Sequence, residues 1–151
     1  MGKEAAALVE GAKKWATLYG DYPNGEEGAA YTAALRVRAA WEANDADAFA
    51  DMFIDNGSML VGDNQLVSRD EIRSYMAEAF NGSWRGSKLT EEPLEIRLLT
   101  NSVALAVTDG GILQEGEGSL PADAKIRGTW IIVKSNNDWR IASRQTSPIK
   151  G

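Results

Sequence analysis

The segment KIRGTWIIVKSNNDWRIASRQ, residues 125–145, constrains this chain more tightly than any other, because it reads as a β-hairpin whose register can be counted. Ser135, Asn136, Asn137 and Asp138 tolerate the tight or left-handed backbone that a hairpin turn demands. Whether two or four residues form the turn, Lys134 then faces Trp139, Ile132 faces Ile141, Trp130 faces Ser143 and Gly128 faces Gln145. Successive side chains on a strand point to opposite faces. One face therefore collects Trp130, Ile132, Trp139 and Ile141, with Gly128, Ser143 and Gln145 towards its far end. The other collects Arg127, Thr129, Arg140 and Arg144 among Ile131, Val133 and Ala142. The first is the expected inner wall and the second the outer.

The same counting applies upstream, in PLEIRLLTNSVALAV. A turn at Thr100 and Asn101 sets Leu98 against Val103, Ile96 against Leu105 and Leu94 against Val107, with Glu95, Arg97, Ala104 and Ala106 on the opposite side. Four consecutive antiparallel strands are thus expected to share one inward apolar surface, which something must cover.

The cover is helical. Leu8, Ala12, Trp15 and Tyr19 share one face of a first helix, and the Gly- and Pro-containing run GDYPNGEEG ends it. A second helix carries Ala30, Ala34, Val37 and Trp41, flanked by Ala33 and Ala40, as its apolar stripe. In DADAFADMF, Asp45 is the N-cap of a short helix that turns Phe49, Met52 and Phe53 inward. The strand GSMLV follows, with a turn around Gly62, Asp63 and Asn64. Ser68 then caps a third main helix, Glu71 completing a capping-box pattern, and Ile72, Tyr75, Met76 and Phe80 recur at helical spacing. QEGEGSLPAD is an irregular connection that could edge a pocket. Helices first and a meander after give an α+β fold, with the helices packed on one face of a curved antiparallel sheet. At 151 residues the chain has the size of one domain. It divides into an N-terminal helix and linker, 1–28, and a main body, 29–151.

Absences restrict the chemistry. The chain has no Cys and no His, which removes thiol nucleophiles, disulfides, Cys or His metal sites and the usual neutral-pH general base. Any acid or base must be Asp, Glu, Lys or Tyr. A net charge of -6 argues against nucleic acid and anionic membrane as partners, and no apolar run is long enough to span a bilayer. Lys3, Glu4, Glu10, Lys13 and Lys14 interrupt the Ala-rich start, so no secretory signal is read there and a cytoplasmic location is expected. Asp47, Asp51 and Asp55 lie at four-residue spacing, the pattern of a solvated helix face rather than of a cation site. No metal and no cofactor are expected. TDGG and GEGS lack the Lys, the Ser or Thr and the context of a phosphate loop and read as turns.

The aromatic residues suggest a pocket. Trp41 and Trp130, with Met59 and Val61 of the single strand, are candidates for its wall. Trp84 stands in a Gly-flanked polar loop that gives a large aromatic no evident structural duty, and Ser143 and Gln145 are polar groups on an apolar face that need partners. These seven residues are the candidate ligand site. Tyr31 and Asp63 are candidate acid or base groups at its mouth.

With these elements in place, residues 29–149 resemble the nuclear-transport-factor-2-like superfamily, the cone-shaped fold of ketosteroid isomerases and SnoaL-type cyclases. More narrowly, AAWEANDADAFADMFIDNGSMLVGDNQLVSRDEIRSYM followed by GTWIIVKSNNDWRIASRQTSP is similar to the SgcJ/EcaC family, which occurs in gene clusters for enediyne antibiotics. The resemblance implies a pocket between sheet and helices, and a homodimer through the outer sheet face. The position of the isomerases' Asp base falls at about Val61 and that of their oxyanion Tyr near Val37. Both are apolar, so that route is not expected here. The cyclases' assisting His is absent, and no acidic residue falls on the inner face counted for the last two strands. The resulting expectation is a protein that binds an apolar polyene or polyketide intermediate in enediyne-type biosynthesis. Two alternatives stay open: a cofactor-free isomerase, cyclase or dehydratase, and a non-catalytic partner of a synthase. An ionisable group inside the pocket separates the enzyme from the binder.

Overall fold

The computed structural model describes residues 25–149. The expected helix over 4–19 lies outside them. Helix α1 (Glu26–Glu42) follows the 3.6-residue period of its alanines, and Ala30, Ala33, Ala34, Val37, Ala40 and Trp41 are all buried. Small side chains on that stripe let the helix lie close on β3 to β6. Asp45 caps α2 (Ala46–Asp51), accepting the Ala48 N–H at 3.0 Å, and Ser68 caps α3 (Arg69–Phe80), accepting that of Glu71 at 3.2 Å. Phe49, Phe53, Ile72 and Met76 meet in the core, each fully buried. Side chains of this size stabilise by about 1.5–3 kcal/mol apiece when removed from water.

The strands are β1 (Phe53–Val61), β2 (Asn64–Leu66), β3 (Lys88–Thr100), β4 (Val103–Leu113), β5 (Ile126–Ser135) and β6 (Asp138–Pro148). They form one sheet in the order β2-β1-β6-β5-β4-β3. The pair β1–β6 is parallel, and β2 folds back on β1 as a short edge that the sequence pattern did not announce. Among the described residues, three α-helices on a curved, open six-stranded sheet make the α+β cone expected from the hydrophobic pattern. Among the described residues no helix is long and apolar enough to cross a membrane.

Register is where expectation and structure part. The β5–β6 turn is two residues long, with Asn136 and Asn137 both left-handed (φ 53° and 61°), and Lys134 faces Trp139 as counted. Beyond it, Ile132 pairs with Ile141 but Ile131 pairs with Ser143, so Ala142 is an extra residue in β6. A bulge of this kind reverses the parity of everything after it. Trp130 therefore faces Arg144 rather than Ser143, and Gly128 faces Thr146 rather than Gln145. Arg144, expected outside, points inward, while Ser143 and Gln145 lie on the outer face. In the first hairpin Leu94 and Leu99 are skipped in the same way, which leaves them 57% and 50% exposed. Ile96 then pairs with Ala106 and Leu98 with Ala104, so the two alanines line the interior, and Val103, Leu105 and Val107 face outward.

Candidate functional site

The two bulges bring opposite charges together inside the sheet. Glu91 precedes the Leu94 bulge and shares the inward parity of Leu89, at 5% exposure. Arg144 follows the Ala142 bulge and is 3% exposed. The Arg144 Nη2 donates to Glu91 Oε2 in an ion pair. Glu91 Oε1 accepts from Thr108 Oγ1 at 3.0 Å and from Trp130 Nε1 at 3.1 Å. The guanidinium also lies over the Trp130 ring, 4.8 Å from its centroid. Arg38 on α1 fixes the main chain at the same place, its Nη1 donating to the Glu91 carbonyl at 3.0 Å. Gly128 makes room for the cluster: a Cβ there would stand 2.7 Å from Thr108 Oγ1. Burying two charges is tolerated only when both are paired and hydrogen-bonded, and here one donor, Arg144 Nε, is buried without an acceptor among the described residues.

Tyr31, on the inward side of α1 and 4% exposed, belongs to the same neighbourhood. Burial first, and then the negative charge of Glu91, push its phenol well above the ordinary value, against the opposing pull of Arg38 and Arg144. It lies in the interior, not at the mouth.

A cavity of about 450 Å³ opens beside this centre, and Glu91 forms part of its wall together with Arg38, Glu92, Asp109 and Lys125. Gly110 keeps another part bare, because β3 and β4 approach so closely there that a Cβ would meet the Thr90 carbonyl oxygen at 1.7 Å. A second cavity, of about 550 Å³, lies near the β5–β6 turn, but its charges are paired among themselves, Arg69 with Asp55 and Arg140 with Asp138. Only the first of the two is lined in part by a buried ionisable residue, Glu91.

The sequence profile of the SnoaL-like domain family matches residues 30–150. The chain belongs to that family. Among proteins of curated function none matches it. Solved structures share the fold at low identity. A cystatin-like domain of unknown function from Nostoc punctiforme superposes with a TM-score of 0.74 at 19% identity, over 82% of this chain and 77% of that one. A ketosteroid isomerase-like protein from Erwinia carotovora atroseptica gives 0.66 at 21%, over 85% and 99%. A candidate scytalone dehydratase from Novosphingobium aromaticivorans gives 0.63 at 13%, over 80% and 81%. At these identities the likeness is one of fold.

In this SnoaL-like chain the seven candidate ligand residues are distributed over three places. Trp130 sits in the charged centre. Met59 and Val61 are buried on the inner face of β1, Met59 opposite Arg144. Trp41 is 1% exposed, its Nε1 donating to Ser87 Oγ at 2.9 Å, and Trp84 stacks on it with ring centroids 4.7 Å apart. Trp84 thus has a packing duty that its polar loop concealed, and it keeps part of its surface exposed. Ser143 and Gln145 bond on the outer face: the Ser143 hydroxyl accepts from Ser58 at 2.9 Å and from Gln145 at 3.1 Å. Asp63 is exposed in the β1–β2 turn. Asp47 and Asp51 pair with Arg73, and Asp55 with Arg69, so the acidic stripe is held by arginines of α3. Counting strands missed Glu91 and Arg144. The one signal for them was Trp130, whose buried N–H needs an acceptor that no apolar neighbour supplies.

Proposed function

We propose that the chain is a cofactor-free enzyme of the isomerase, cyclase or dehydratase type, in which the Glu91 carboxylate moves a proton on a small organic substrate. One observation carries this reading: Glu91 is buried in the sheet interior and yet forms part of the wall of a cavity of about 450 Å³. A carboxylate so placed can take a proton from a carbon next to a carbonyl and return it at another atom, which leaves the substrate's composition unchanged in an isomerisation. Trp130 and Thr108 hold it in one orientation, as a proton-transferring group requires. The ketosteroid isomerase-like and scytalone dehydratase-like neighbours support the reaction class. The similarity to the SgcJ/EcaC family supports a polyketide-derived substrate in enediyne-type biosynthesis.

The test is incubation in D2O with an extract of a polyketide-producing culture, followed by mass spectrometry of compounds that gain deuterium or change mass. Glu91→Gln is expected to lower the rate at least about 100-fold. Thr108→Val, which keeps the ion pair but loosens the carboxylate, is expected to fall between the two. An unchanged rate in folded Glu91→Gln rejects the assignment. A second reading, binding of an apolar polyene without turnover, draws on Trp84, half-buried against Trp41 and Tyr75. It requires that Trp84→Ala lose a retained polyene mass in native mass spectrometry. We also propose a homodimer through the outer sheet face, where Val103, Leu105, Val107, Ile131 and Val133 form an apolar strip.

A further inference from the structure

We infer that the cavity beside Glu91 selects a substrate bearing an anionic oxygen, a carboxylate or the enolate of a 1,3-dicarbonyl, received by Arg38 with Lys125 at the rim. This names the substrate class for the site proposed above and rests on that cavity being the working one.

Among the described residues the wall carries more unpaired cationic than anionic groups. Of its three acidic groups, Glu91 is paired with Arg144 and Asp109 with Arg127. Glu92, which is exposed, also lines the cavity and makes no ion pair among the described residues. The two basic groups are likewise unpaired and outnumber it. Neither Arg38 nor Lys125 makes an ion pair among the described residues. Arg38 uses one N–H on the Glu91 main-chain carbonyl, and a guanidinium carries five. That bond holds its remaining donors next to the Glu91 main chain, so an oxygen received there lies beside the residue that carries the carboxylate. Arg38 is half-buried, where a charge is screened less than at the surface. Lys125 is exposed and acts through attraction at the rim. An apolar polyene would have no use for either cation, whereas an anionic oxygen satisfies both. A bound anion next to the carbon that loses its proton also places Arg38 to receive the charge that develops as Glu91 takes that proton.

The probes are 2-naphthoate and its neutral counterpart 2-naphthamide, titrated calorimetrically against the whole chain. The acid is expected to bind about tenfold more tightly than the amide, the difference expected for a charged hydrogen-bonding partner. Raising the salt should narrow the gap. Arg38→Gln should abolish the preference and Arg38→Lys should keep part of it. Lys125→Gln, at an exposed position that cannot threaten folding, should weaken the acid alone by about threefold. Equal affinities, no binding of the acid at millimolar concentration, or a preference untouched by both Arg38→Gln and Lys125→Gln would overturn the inference. Glu91→Gln keeps this result separate from the proton-transfer reading. Acid preference retained in that variant with turnover lost supports both, and acid preference retained with turnover unchanged rejects Glu91 as the proton carrier while the substrate class stands.

Discussion

Glu91 and Arg144 are each, alone, unfavourable inside a small protein, and the structure tolerates them only together. Arg144→Met leaves the carboxylate buried with two neutral donors and is expected to cost about 3–5 kcal/mol in urea unfolding, whereas Arg144→Met combined with Glu91→Gln should recover much of that loss. Additive losses would show that the two side chains do not interact. Tyr31 gives a second handle at this scale. Burial, and then Glu91, raise its phenol, so the folded state favours the proton more than the unfolded chain does. Below about pH 10, the ordinary phenol value, both states hold the proton and the stability is fully present. Above it the unfolded chain releases the proton first, and stability falls as pH rises. The urea midpoint of the wild type should therefore drop more steeply above about pH 10 than that of Tyr31→Phe, and parallel curves would place the phenol outside the charged cluster. None of the three residues was assigned its environment by pattern. Tyr31 is expected at the mouth and lies inside, and Arg144 falls outside only if strand parity runs unbroken through Ala142.

At the scale of elements, what could be read from sequence was local chemistry, and what could not was the accumulated offset between strands. Caps at Asp45 and Ser68 and the Asn136–Asn137 turn depend on a few adjacent residues, and all three are present. The left-handed turn predicts its own sensitivities. Asn137→Val forces a β-branched side chain into a positive φ and is expected to lower stability by about 1–2 kcal/mol, while Asn137→Gly should change it by less than about 0.5 kcal/mol. Equal stabilities in chemical denaturation would mean that the turn relaxes to another type. The bulges at Leu99 and Ala142 carry no such signature, because the extra residue is set by pairing with the neighbouring strand rather than by the residue itself. The order of the four strands does not depend on those offsets, but the pairing of faces does, and the candidate site is made of the faces.

The whole molecule reads as a cone whose concave side is used by helices and charges, which leaves the convex side to explain. Three strands present Val103, Leu105 and Val107 on β4, Thr129, Ile131 and Val133 on β5, and Ser143 and Gln145 on β6, side by side. Their position outward follows from the same bulges that turned Arg144 and Ala106 inward, so the apolar strip and the charged centre are two consequences of one register. An isologous pair of such faces would bury the strip against its own copy, with the hydroxyls and amide of Ser58, Ser143 and Gln145 at hand to bond across or beside it. The proposed homodimer is accordingly expected to sediment as a dimer at micromolar concentration. Leu105→Lys and Ile131→Lys, each placing a charge in the middle of the strip, should shift it to monomer while leaving naphthoate binding at the other side of the sheet intact. Monomer sedimentation of the wild type would remove the dimer, and loss of naphthoate binding in a folded, monomeric Leu105→Lys would mean that the cavity depends on the second copy.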